Sequence, residues 1–114
     1  MSSNKAVAPT EPIHLTDVGD LEDAITTYDV VLVDFYADWC GPCQMMEPAI
    51  ESVAADTDAA VLKVDVDRFQ GLASQYGVQG IPTLFVFANG EKVENLVGMQ
   101  SEDQLASVIG NYSR

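Results

Sequence analysis

The sequence predicts an α/β protein, a three-layer α/β/α sandwich built around a central mixed sheet. Three observations carry that expectation. Two runs, VVLVDFY at 30–36 and AVLKVDV at 60–66, are apolar on both alternating faces, the pattern of strands covered by helices on each side. Segments of helical spacing lie between them, as a parallel arrangement requires. Two later strand-like runs flank Asn89-Gly90, a dipeptide that suits a two-residue hairpin and makes the last pair of strands antiparallel.

Taken in order, residues 1–11 (MSSNKAVAPTE) mix small, polar and Pro residues without periodicity. They are expected to form a flexible N-terminal extension to a single domain over 12–114. A short strand is expected at Ile13 to Leu15, then a helix from Asp17 to about Thr27, with Thr16 as cap and acids in its first turn. Leu21, Ala24 and Ile25 face inward. After the first long strand, a helix runs to about Ala55, with Met45, Met46, Ala49, Ile50 and Val53 at helical spacing and a kink at Pro48. The second long strand is followed by a short helix around Phe69 to Tyr76, ended by Gly77. Thr83 to Ala88 and Glu91 to Val97 form the hairpin. Ser101, Glu102 and Asp103 open a last helix carrying Leu105, Val108 and Ile109.

Composition narrows the function. With 114 residues, 47% of them hydrophobic, there is material for one core and not for two ordinary domains. Eighteen acidic against five basic residues give a net charge of -13, which excludes the Lys/Arg cluster that a nucleic-acid surface needs. The acids are scattered singly rather than gathered in a block, so they belong to a folded surface and not to an acidic tail. Such a surface repels itself in dilute buffer and is tolerated where concentrated salt screens it, which points to a halophilic source; an acidic protein of an ordinary cell is the alternative. Met1 to Glu11 holds no apolar run of signal-peptide length and every longer apolar stretch is strand-sized. A cytoplasmic monomer with no membrane partner is therefore expected.

The two cysteines carry the chemistry. Cys40-Gly41-Pro42-Cys43 falls where the first long strand gives way to a helix, which puts both thiols at a helix N-terminus. Unpaired N–H groups and the helix dipole stabilise a thiolate there, and the thiolate is the attacking form. Cys40, at the tip, is expected to attack; Cys43, one turn on and on the same face, is placed to resolve a mixed disulfide. Pro42 suits a first-turn position that has no hydrogen bond to lose, and Gly41 allows another backbone to approach. A purely structural disulfide over so short a loop gains only about 2 kcal/mol. Zinc needs four ligands, and the chain adds only a distant His14, so no metal and no organic cofactor is expected. A pair of inert buried cysteines sits poorly with the Gly-Pro insert.

The segment Val33-Asp34-Phe35-Tyr36-Ala37-Asp38-Trp39-Cys40-Gly41-Pro42-Cys43 resembles the active-site segment of the thioredoxin family. Lys63-Val64-Asp65, Tyr76-Gly77-Val78, Gly80-Ile81-Pro82-Thr83, Phe87 with Asn89-Gly90, and Val97-Gly98 follow in that family's order and spacing. Gln44 departs from it, standing where a basic residue is common, and Tyr36 stands where Trp is frequent. The resemblance implies a thioredoxin-like fold and a thiol-disulfide oxidoreductase that reduces disulfides of protein substrates. It also implies a thioredoxin reductase or similar electron donor.

Asp34 stands in a strand that should be buried on both faces, where a carboxylate is costly and its pKa rises. From burial alone it is either a proton carrier or a structurally paired acid; the resemblance makes it the acid that takes the proton of Cys43. Lys63 interrupts its own apolar strand in the same way, so the two form a candidate cross-strand charge pair, or Lys63 snorkels to water. The resemblance further implies a cis Pro82 beside the disulfide, with the backbone before it pairing with a bound substrate chain. Trp39, Gly41, Pro42, Ile81, Pro82, Val97 and Gly98 then form a shallow apolar docking surface. Without the resemblance, core filling for Trp39, Met45 and Met46 and strand-end packing for Val97 and Gly98 are the plainer readings. Two alternatives stay open: an oxidase or isomerase of similar fold, with a less negative potential, and a binding module whose cysteines are idle.

Overall fold

The computed structural model describes residues 6–113. The described residues form five strands and five helices in the order β1 Ile13–His14, α1 Gly19–Thr27, β2 Val30–Tyr36, α2 Gly41–Met45, α3 Glu47–Asp56, β3 Ala60–Asp65, α4 Gln70–Gln75, β4 Thr83–Ala88, β5 Glu91–Val97 and α5 Glu102–Gly110. The sheet order is β1-β3-β2-β4-β5, with β1, β3 and β2 parallel and β4 and β5 antiparallel to their neighbours. The mixed sheet expected from the sequence is present.

Its two faces are both buried, which is why β2, β3 and β4 carry apolar residues without alternation. Val31, Val33 and Phe35 pack with Leu21 and Ile25 of α1 and Leu72 of α4, while Val30 and Leu32 pack with Ile50 and Val53 of α3 and Leu105 and Ile109 of α5. At the hairpin, Asn89 and Gly90 have φ of 53° and 87°, the left-handed pair that a two-residue turn between twisted strands demands. Ala88 pairs directly with Glu91 across it.

Helix starts depart from the sequence reading in two places. α1 begins at Gly19 rather than Asp17, and Thr16 does not cap it. The Asp17 carboxylate instead accepts the Gly19 N–H at 3.0 Å, and Asp20 reaches back to accept from the Asp17 N–H and the Thr16 hydroxyl, both at 3.1 Å. These local bonds offer the backbone an alternative to the first helical turn. The expected kinked helix after Cys43 is two helices meeting at Met46, because Pro48 has no N–H to donate back. By contrast α5 has the expected Ser101 cap, completed to a capping box by Gln104.

The expected N-terminal extension lies partly outside the described residues, at positions 1–5. Within them, the Ala6 N–H donates to the Thr27 carbonyl at 3.3 Å and Ala8 packs against the α1 side of the core. No helix of the described residues is long and apolar enough to cross a membrane.

Candidate active site

β2 leaves the sheet at Tyr36, and the chain turns through 37–39 into α2 with Cys40 as its N-cap residue. Extended at φ -86° and ψ 109°, Cys40 directs its sulfur back over the first turn, where it accepts the Cys43 N–H at 3.2 Å. Pro42 occupies the first turn, where its missing N–H forfeits nothing. Cys40 and Cys43 are joined as a disulfide with Cα atoms 5.2 Å apart. Each is only 4% exposed, packed with Ala37 and flanked by Tyr36, Val66 and Ile81. The helix-tip placement deduced from the spacing is realised.

Around the disulfide the remaining residues named from the sequence separate into a surface and a buried pair. Trp39 is 69% exposed and Val97 66%, so neither fills the core. The Trp39 indole is held in place by donating its Nε1–H to Asp67 at 2.8 Å. The bond Ile81-Pro82 is cis, Pro82 is buried, and its carbonyl accepts the Gly98 N–H at 2.8 Å. That contact ties the start of β4 to the end of β5, and Gly98 meets it at φ 89°, a conformation that favours glycine. Among the described residues no hydrogen bond engages the Ile81 backbone. Gly41 is exposed, and a Cβ added there meets nothing within 4 Å, so the space above it is open. Met46 is buried, whereas Met45 is 71% exposed, correcting the plainer reading of it as core. Adjacent helix positions diverge by about 100°, and Cys43, Met46 and Ile50 already fill the sheet-facing stripe.

Asp34 and Lys63 are each 3% exposed and lie directly opposite one another on β2 and β3. Of the two readings left open for Lys63, neither a direct ion pair with Asp34 nor a plain escape to water describes it, although its charge does act on the acid. The Lys63 ammonium bonds the carboxylate of Glu47, on α3, and sits 4.3 Å from the centre of the Tyr36 ring. Among the described residues the Asp34 carboxylate has no hydrogen-bond donor. Burial pushes its pKa from 3.8 to about 7, with the Lys63 charge pulling it down and the Glu47 charge pushing it up. An acid held near neutrality in this way can both take and return a proton.

Sequence reading missed Glu47 and Asp67. A buried lysine calls for a counter-ion, but the break at Met46 puts Glu47 on a different helix from Cys43, and nothing local to Glu47 marks it as that partner. Gln44, the departure noted above, donates its side-chain amide to the Asp38 carbonyl and so closes the turn before Cys40. The other departure, Tyr36, supplies the ring against Lys63.

Residues 13–111 match the family model for thioredoxin. The solved structure of a mutant thioredoxin from Halobacterium salinarum superposes with a TM-score of 0.91, at 54% identity over 96% of both chains. Curated relatives named thioredoxin include one from Chlamydia muridarum, 39% identical over 88% of this chain and 98% of its own length, and one from Staphylococcus epidermidis, 48% identical over 73% and 82%. With this likeness along nearly the whole domain and a bonded Cys-Gly-Pro-Cys pair at a helix cap, the chain belongs to the thioredoxin family and is a thiol-disulfide oxidoreductase.

Proposed function

We propose that the chain reduces protein disulfides with Cys40 as the attacking and Cys43 as the resolving sulfur. The observation that carries this assignment is the pair's placement: Cys40 is the helix cap and its sulfur takes a backbone N–H, while Cys43 lies within the helix. Cys40 thiolate attacks one sulfur of the target; that S–S bond breaks, and the departing target sulfur leaves as a thiolate that takes up a proton. Cys43 then passes its proton to Asp34 and attacks the Cys40 sulfur, the Cys40–target S–S bond breaks, and the second target thiolate leaves and takes up a proton while Asp34 gives its own back to solvent. Two electrons and two protons reach the target, and the Cys40–Cys43 disulfide remains. A thioredoxin reductase or similar electron donor restores the dithiol, and the exchange itself calls for no metal or bound organic cofactor on this chain.

The target lies across Trp39, Gly41, Pro42, Ile81, Pro82, Val97 and Gly98. Exposed apolar side chains beside the disulfide and an unengaged Ile81 backbone support that surface, since backbone pairing gives affinity that tolerates many sequences. Insulin reduction with dithiothreitol tests the activity: the chain is expected to bring on turbidity well before dithiothreitol alone. Equal lag times with and without the chain would show idle cysteines. A redox titration separates reductase from oxidase or isomerase; a potential more negative than the glutathione pool is expected.

We also place the protein in the cytoplasm of a salt-adapted cell, working as a monomer. A dithiol of this kind suits a reducing compartment, and a charge of -13 on 114 residues favours separate copies. The thermal midpoint is expected to climb as KCl is raised from dilute to molar, because screening relieves repulsion among the surface acids. A flat profile in scanning calorimetry would remove the salt-adapted reading.

A further inference from the structure

One row of the sheet runs from His14 on β1 through Lys63 on β3 and Asp34 on β2 to Leu84 on β4. Leu84 and Leu32 pack against Met46 and Ile50, so the side of the sheet that carries Asp34 is the one beneath α2 and α3. The titratable groups that act on Asp34 are Lys63 from β3, Glu47 from α3 and Tyr36 from its own strand, and Cys43 lies one turn before Glu47 at the end of the chain's path from β2 into α2. β4 contributes only Leu84. His14 and Glu51 stand farther out, lining with Glu47 and Lys63 an open groove of about 740 Å³.

Neighbouring strands lie about 4.8 Å apart, so a buried ammonium in register with a buried carboxylate on the next strand is within reach of it. Here Lys63 bonds Glu47 instead. The difference between the two acids is solvent. Glu47 keeps 36% of its side chain exposed and stays hydrated when ionised, whereas Asp34 is only 3% exposed. The ionised outer carboxylate therefore wins the lysine, and the Tyr36 ring steadies the ammonium there.

We propose that Glu47 is a positioning residue for the redox reaction: it holds the Lys63 ammonium off Asp34, leaving that carboxylate unpaired and free to exchange a proton with Cys43. The inference rests on the assignment of Asp34 as the proton acceptor for Cys43. Electrostatics agree with it in sign, since after burial the Lys63 charge lowers and the Glu47 charge raises the Asp34 pKa.

Glu47→Gln is nearly isosteric at a half-exposed site and serves as the test. The Asp34 carboxyl is titrated by ¹³C NMR in Glu47→Gln and in the same change made on Lys63→Met, and release of a trapped mixed disulfide is followed by stopped flow across pH. With Lys63 present, Glu47→Gln is expected to move the Asp34 titration to lower pH. The acid limb of release moves with it, and the plateau rate falls about threefold because the acceptor becomes a weaker base. In the Lys63→Met background the titration is expected to move less than half as far. No movement, or equal movement in both backgrounds, overturns the inference, as does a release rate that Asp34→Asn slows and Glu47→Gln leaves alone. If the titration moves as expected and neither Glu47→Gln nor Asp34→Asn alters release, Glu47 does hold Lys63 and the assignment of Asp34 is what fails.

Discussion

Cys40→Ser is expected to lower insulin reduction by about three orders of magnitude or more, to the dithiothreitol background, while Cys43→Ser stays bound to its target through one disulfide. A serine hydroxyl cannot ionise near neutrality or exchange with a disulfide, so the first change removes the attacking atom itself. The second leaves attack intact and removes the exit. Equal exposure of 4% does not tell the two sulfurs apart, so the proposed assignment rests on their positions. Cys40 is the cap residue beside exposed Trp39, and its sulfur already accepts a backbone N–H that would stabilise negative charge. Cys43 is set inside the helix on the sheet side. Non-reducing electrophoresis and mass spectrometry should show a one-to-one adduct with Cys43→Ser and none with Cys40→Ser. The reverse pattern would exchange the two roles.

How far the sequence could be read follows from which interactions are local. The hairpin was legible because Asn89-Gly90 fixes the turn and the pairing next to it, Ala88 with Glu91 and Phe87 with Lys92; the register shift between Val86 and Phe87 was not. The layers were legible because strands apolar on both faces must be covered on both. The helix-tip thiols followed from a strand-to-helix junction and the first-turn Pro42. What escaped depends on the approach of segments distant in sequence. Strand register places Lys63 opposite Asp34, yet says nothing of the helix crossing above, and Glu47 alone looks like one more surface acid. The Trp39 bond to Asp67 likewise joins loops 28 positions apart. Met45 was misread because helical spacing admits either neighbour to the buried stripe until the register of α2 on the sheet is known.

Asp34→Asn is expected to stabilise the oxidised protein at pH 8 by up to about 4 kcal/mol, and to slow release of the mixed disulfide. The Asp34 pKa is raised by burial from 3.8 to about 7 against the pull of Lys63, so between those values the folded chain holds a proton that the unfolded chain has lost. Wherever the folded state binds more protons, stability falls as pH rises. The loss thus begins near pH 4, is complete a little above pH 7, and is absent from Asp34→Asn, whose side chain carries no charge to desolvate. Urea unfolding at constant salt from pH 4 to pH 8 measures both; guanidinium is unsuitable because it would screen the surface acids. Against the wild type, the variant should gain stability progressively across this range and little below it. Parallel profiles for the two proteins would mean that Asp34 is solvated or paired in the folded state. A gain in stability with a slower release step gives the destabilising carboxylate its physical rationale. An acid this deeply buried, whose neighbouring cation is bonded elsewhere, has a proton affinity near the pH at which the proposed resolving thiol gives one up.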